Sequence, residues 1–81
     1  MPINPDVIAE LKILRMFDSS NHQSGLKVHS DAAPELIDAT RRLYEKQLIT
    51  HIDGGYPTPL GHECCHHLQN LLHILNTKPL L

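Results

Sequence analysis

Two histidines one helical turn apart flank a glutamate in the segment His62-Glu63-Cys64-Cys65-His66. This H-E-x-x-H pattern is typical of zinc metalloproteases, in which both imidazoles bind the metal and the glutamate acts as general base on the bound water. Such a site also needs a third protein ligand and a cleft that holds substrate. The rest of the sequence must therefore provide both.

The sequence provides neither feature. In the longer pattern H-E-x-x-H-x-x-G-x-x-H, Leu72 takes the place of the third histidine, and no Asp or Glu follows Glu63. At about 100° per residue, His62, His66 and His73 lie opposite the apolar residues of the helix, so we expect them in solvent. We predict no enzyme, no catalytic residue and no bound metal or cofactor. Weak binding of a transition metal by these exposed histidines is the alternative to a plain solvated face.

Cysteine placement bears on the compartment. Cys64 and Cys65 are adjacent, so their Cα atoms lie about 3.8 Å apart, closer than the minimum of about 4.4 Å that a disulfide usually needs. We expect free thiols in a reducing compartment, with Cys64 in the buried stripe of its helix. The N-terminus has no basic stretch followed by an apolar run, and no segment reaches about 18 uninterrupted apolar residues. These features predict a cytoplasmic chain without a membrane span.

Length and charge limit the function classes. The chain has 81 residues, a formal net charge of −2 and 41% hydrophobic residues. We expect one folded domain over residues 1–81 with a modest core, because so short a chain buries only about 60% of the surface that its unfolded form exposes. Positive charge is not concentrated in any segment, which argues against strong nonspecific binding to nucleic acid.

Local signals divide the chain into three helices and a short sheet. Proline follows a capping residue at Asn4-Pro5 and Thr58-Pro59, which predicts a helix start at each. Asp53-Gly54 favours a hairpin turn, and residues 26–29 alternate like a short strand. The predicted elements are helices at about 5–17, 33–47 and 59–76, a hairpin at about 48–58, and a frayed tail at 77–81. The fold class is therefore mostly α with a small β-hairpin.

Apolar spacing predicts the buried face of each helix. In the first helix, Val7, Leu11 and Leu14 recur at i, i+4 and i+7, which leaves Ile13 and Met16 for a second contact surface. The third helix is rich in leucine, and its predicted stripe consists of Cys64, Leu68, Leu71, Leu72 and Leu75. The second surface, the leucine-rich helix and the short chain together lead us to expect a homodimer.

The order of motifs after the second helix resembles that of winged helix-turn-helix regulators. Leu48-Ile49 follows the helix, Asp53-Gly54-Gly55-Tyr56 forms a hairpin, and Thr58-Pro59-Leu60-Gly61 opens the next helix. In that family a Gly-Leu-Ile-like step, a hairpin wing and a Leu-Thr-x-x-Gly segment follow in the same order, although Gln47 stands here in place of the glycine. The resemblance implies a winged-helix-like fold of three helices plus a short sheet. The whole chain also resembles a small uncharacterised bacterial protein family of about eighty residues.

The resemblance also implies a way to contact DNA. The second helix would enter the major groove, with Arg41, Arg42 and Lys46 reaching bases or phosphates. Glu35 and Asp38 on the same helix would repel phosphate. We expect a DNA-associated regulatory or accessory role, and the alternative is a protein-protein interaction or dimerisation module that binds no nucleic acid.

Overall fold

A computed structural model describes residues 3–19 and 25–79. The elements are α1 (Pro5–Ser19), β1 (Leu26–Lys27), α2 (Pro34–Glu45), β2 (Ile49–His51), β3 (Gly54–Pro57) and α3 (Pro59–Leu75). The strands form one antiparallel sheet in the order β1-β3-β2, so β1 pairs with the hairpin as expected. This layout confirms the mostly helical, winged-helix-like fold class. Residues 20–24, and residues 80–81 of the predicted tail, lie outside the described residues.

The two Asx/Thr-Pro signals start their helices as predicted. The Asn4 side-chain oxygen accepts a hydrogen bond from the backbone N–H of Val7 at 2.9 Å at the start of α1. The Thr58 hydroxyl oxygen accepts one from the N–H of Gly61 at 3.1 Å at the start of α3. Each cap satisfies a backbone donor that has no partner within its own helix. None of the helices in the described ranges is long and apolar enough to cross a membrane.

The end of α2 places Gln47, which stands where the winged-helix pattern has glycine, in a left-handed conformation. The N–H of Leu48 donates to the carbonyl of Leu43 at 3.0 Å, and the N–H of Gln47 donates to that of Tyr44 at 2.9 Å. This pair of bonds is a Schellman motif. It requires a left-handed conformation at the residue just before the last donor, which here is residue 47. Gln47 adopts that conformation with φ 64°. The backbone is therefore the one that glycine favours, and the predicted end of the helix at 47 shortens to Glu45.

The core lies where α1, α2 and α3 meet the sheet, and it corrects two predicted faces. On α1, Leu14 is buried as predicted and Val7 is half-buried, but Leu11 is 39% exposed, so its place in the buried stripe is wrong. Ile13, which was predicted for a second contact surface, is completely buried in the core instead. On α3, Cys65 is buried and Cys64 is only partly buried. Both cysteines are free thiols, as expected.

Close backbone contacts orient α3 and thereby select Cys65. A Cβ atom on Gly61 would lie 1.9 Å from the carbonyl oxygen of Leu48, so this face of α3 lies directly against the chain that enters β2. Positions 61, 65 and 68 follow at i, i+4 and i+7 and are all buried. Cys64 is one position away from this stripe, so it lies at its border.

Candidate functional site

The histidines of the H-E-x-x-H segment lie in solvent. His62, His66 and His73 are all exposed on α3, as the helical spacing predicted. Glu63 is also exposed and lies 3.9 Å from His67 in an i, i+4 pair. Within residues 3–19 and 25–79, no three His, Cys, Asp or Glu residues are arranged to hold a metal ion. The segment therefore has the spacing of a zinc site without its surroundings.

Two of the three residues predicted to contact DNA face a carboxylate on α1. The Glu10 side chain is only 10% exposed, and Lys46 Nζ contacts its Oε1 atom. Arg42 Nε donates to the Oε2 atom at 3.3 Å, and Arg42 Nη2 donates to the backbone carbonyl of Asp6 at 3.3 Å. Glu10 thus holds both cations at the junction of α1 and α2. These cations neutralise a protein carboxylate, while the side chain of Arg42 is 25% exposed and that of Lys46 is 54% exposed.

Arg41 lies apart from this cluster. Its side chain is 52% exposed, and its guanidinium lies 3.5 Å from the carboxylate of Asp38, three residues earlier on α2. It borders a cavity between α2, the end of β1 and the hairpin turn. The structure therefore brings Arg42 and Lys46 together and places Arg41 in different surroundings, so the three predicted residues do not form one continuous basic patch.

Sequence reasoning missed Glu10 as a functional position. It is separated from Arg42 by 32 positions and from Lys46 by 36. Spacing along one helix reveals i, i+4 pairs, but a pair between two helices depends on how those helices pack. In the sequence, the only sign of this role is an acidic residue between apolar residues of α1. Most surface helices carry such residues, so this position alone does not indicate a buried carboxylate.

The second half of α3 exposes an apolar strip. Leu71, Ile74 and Leu75 are 54%, 66% and 68% exposed, whereas Leu68 is buried and Leu72 packs partly against the core. The predicted stripe over Leu68 to Leu75 is therefore covered only at its beginning. We call Leu71, Ile74 and Leu75 the α3 strip. A cluster of exposed large apolar side chains on a small protein is a common mark of an interaction site.

Residues 1–76 match the model of DUF5669, a family of unknown function. The chain belongs to this family. The match agrees with the resemblance to a small uncharacterised family. It does not confirm the winged-helix resemblance, which is supported only by the layout of helices and strands in this chain. No curated protein and no solved structure matches the chain. The function of the DUF5669 chain must therefore be argued from features of this chain itself. These are the α3 strip, the cluster of Glu10, Arg42 and Lys46, which we call the Glu10 cluster, and Arg41 beside its cavity.

Proposed function

We propose that this DUF5669 protein is a non-enzymatic, winged-helix-like interaction module that forms a symmetric homodimer through the α3 strip. The observation that carries the proposal is the contrast along α3, whose apolar face is buried at Cys65 and Leu68 and exposed at Leu71 and Leu75. Removing apolar surface from water contributes about 25 cal/mol per Å² to an association, from which the entropy cost of bringing two chains together is subtracted. A second protein surface against the α3 strip would therefore bury the apolar side chains that the core of one chain leaves exposed.

A second copy of the same chain is the partner that suits this surface. Residues 68–77 contain no Asp, Glu, Lys or Arg, so two copies of this segment can pair without bringing like charges together. A two-fold axis across the helix would place the strip of one protomer against the strip of the other, as isologous interfaces require. The short chain supports the same conclusion, because its own core is small.

Sedimentation of a matched pair of variants tests the dimer. We expect the wild type to sediment as a dimer at high micromolar concentration. Leu71→Glu should make the protein monomeric, because it introduces a charge at the centre of the interface. Leu60→Glu is the matched control, since Leu60 is 50% exposed at the other end of the same helix and should leave the dimer intact. A monomeric wild type, or equal dissociation by both variants, would refute the proposal.

A DNA-associated regulatory or accessory role is the second candidate, and the winged layout with an exposed Arg41 supports it. The Glu10 cluster provides an unusual test of it, because Glu10→Gln would release the charge of both Arg42 and Lys46 towards a phosphate. If the chain binds DNA, this variant should bind duplex DNA more tightly than the wild type at low ionic strength. Arg41→Ala should weaken the binding, and Arg15→Ala on α1 is its control. Absence of wild-type binding at low ionic strength would eliminate this candidate.

We propose that the protein acts in a bacterial cytoplasm. Free thiols at Cys64 and Cys65 support a reducing compartment. The solvent exposure of His62 and His66 supports the absence of metal-dependent hydrolysis. Metal analysis of the purified protein tests the second point, since stoichiometric zinc that is lost in His62→Ala would contradict a non-enzymatic role.

A further inference from the structure

A cavity of about 410 Å³ lies between three elements that are distant in sequence. The end of β1 and the turn after it form one side, α2 forms the second, and the turn between β2 and β3 forms the third. The backbone N–H of Val28 donates to the carbonyl of Asp53 at 2.8 Å, which fixes the end of β1 to the hairpin turn. Small-molecule sites usually have volumes of about 300–1,000 Å³. The cavity therefore has the size of a small-ligand site and walls that are held by the fold.

Its interior surface is largely apolar. Val28, which follows β1, and Ile37 on α2 are half-buried and line it. Ile52 lines it from the hairpin turn and is 57% exposed. Hairpin turns favour Asn, Asp and Gly, so a large apolar side chain at this position contributes nothing that the turn needs. A ligand against Ile52 would give this side chain an apolar contact that the fold alone does not provide.

Two cations border the same cavity. Lys27 lies at its edge on β1, and its side chain forms no ion pair with any residue in the described ranges. Arg41 lines the cavity from α2, and its contact with Asp38 is an exposed pair that a ligand carboxylate can replace. Guanidinium binds a carboxylate through two parallel hydrogen bonds, which gives it direction as well as charge.

We propose that this cavity binds a small organic monocarboxylate with a compact apolar body. The carboxylate would lie between Arg41 and Lys27, and the apolar body would contact Val28, Ile37 and Ile52. Asp53 is the acidic residue among those that line the cavity, and it disfavours a second negative charge on the ligand. This favours a monocarboxylate over a dicarboxylate or a phosphate ester. The site is separate from the α3 strip, so its test does not depend on dimerisation.

Titration with benzoate, followed by NMR, tests the site. We expect saturable shifts of the methyl signals of Val28, Ile37 and Ile52, since these methyl groups would contact the aromatic ring. Benzamide has nearly the same shape without the charge, and we expect it to bind at least about tenfold more weakly. Shifts that do not saturate, or equal affinity for benzoate and benzamide, would overturn the proposal.

A matched pair of arginine variants identifies the carboxylate-binding residue. Arg41→Gln should weaken benzoate binding by about tenfold or more, because it removes the charged hydrogen-bond donors at the cavity edge. Arg15→Gln removes another exposed arginine, which lies on α1 and does not line this cavity. It should leave the affinity unchanged. Ile52→Ser should also weaken binding, because it removes the apolar contact while retaining both cations. Equal losses in Arg41→Gln and Arg15→Gln would show that benzoate responds to net charge alone and would refute the site.

Discussion

Glu10 joins α1 to α2 through charged contacts at a nearly buried position. Its carboxylate accepts from Arg42 and contacts Lys46, and its side chain is 10% exposed. Loss of a nearly buried carboxylate that accepts from charged donors costs more than the loss of an exposed pair, while Lys46, whose side chain is 54% exposed, remains solvated. The cluster therefore gives this position a larger role in stability than an acidic residue on a surface helix usually has.

We expect Glu10→Gln to lower the free energy of unfolding by about 1–3 kcal/mol, because it weakens two charge-assisted contacts at a nearly buried site. Urea denaturation monitored by circular dichroism would measure this change. Glu63→Gln is the matched control, since Glu63 is 66% exposed in its pair with His67 and should change stability by less than about 0.5 kcal/mol. Equal stability of Glu10→Gln and the wild type would contradict this role for Glu10.

Gln47 is the second residue whose effect can be stated in advance. It holds the left-handed conformation with φ 64° at the end of α2, and a side chain there costs free energy that glycine avoids. We expect Gln47→Gly to raise the free energy of unfolding by about 0.5–1 kcal/mol. Gln69→Gly, in the exposed middle of α3, should lower it by about 1 kcal/mol, because there the helix gains nothing from the freedom of glycine. A loss of stability in Gln47→Gly would contradict the prediction.

At the scale of elements, α3 is fixed by its first turn. The Thr58 hydroxyl donates to the carbonyl of Gln47 at 2.6 Å, and the Thr58 N–H donates to the carbonyl of Leu48 at 3.0 Å. Gly61 then lies so close to Leu48 that no side chain fits between them. The Thr-Pro-Leu-Gly segment therefore does two things: threonine caps the helix, and glycine allows it to pack against the segment that enters β2.

We expect Gly61→Ala to lower the free energy of unfolding by at least about 2 kcal/mol, because a Cβ atom would lie 1.9 Å from the Leu48 carbonyl oxygen and the backbone would have to shift. Chemical denaturation would measure the loss. Asn70→Ala, at an exposed position of the same helix, is the control and should keep or slightly increase stability. If Gly61→Ala unfolded at the same denaturant concentration as Asn70→Ala, the close packing of α3 would be disproved.

Local signals were sufficient to predict the elements but not the faces that they bury. The caps at Asn4 and Thr58 and the hairpin near Asp53 depend on neighbouring residues, so the sequence reveals them. The buried face of α1 depends on what covers it. Apolar residues lie on more than one side of this helix, and the packed structure selects Ile13 rather than Leu11. The Glu10 cluster joins two helices, so it could not be predicted before their packing was known. The exposed face of histidines on α3 depends on spacing within one helix, so it could be predicted.

At the scale of the whole molecule, the chain is elongated. Its radius of gyration is 13.2 Å and its extents are 45 × 29 × 23 Å, whereas a compact chain of this length has a radius of gyration of about 11.7 Å. An elongated small protein covers less of its apolar surface, which agrees with the exposed α3 strip. The sequence predicted a shortage of core from chain length alone, but it did not show that the shortage falls on the second half of α3.

If the α3 strip closes a dimer, stability must depend on protein concentration. Unfolding then separates two chains, so a tenfold higher concentration favours the folded dimer by about 1.4 kcal/mol. For a dimer of two chains of this size, we expect the midpoint of thermal unfolding to rise by about 3–5 °C for each tenfold increase. Calorimetry of the wild type, Leu71→Glu and Leu60→Glu over a range of concentrations would measure this.

Leu71→Glu should unfold at a lower temperature that does not change with concentration, because it unfolds as a monomer, while Leu60→Glu should follow the wild type. A wild-type midpoint that is independent of concentration would show that the α3 strip stays open to solvent in the isolated protein.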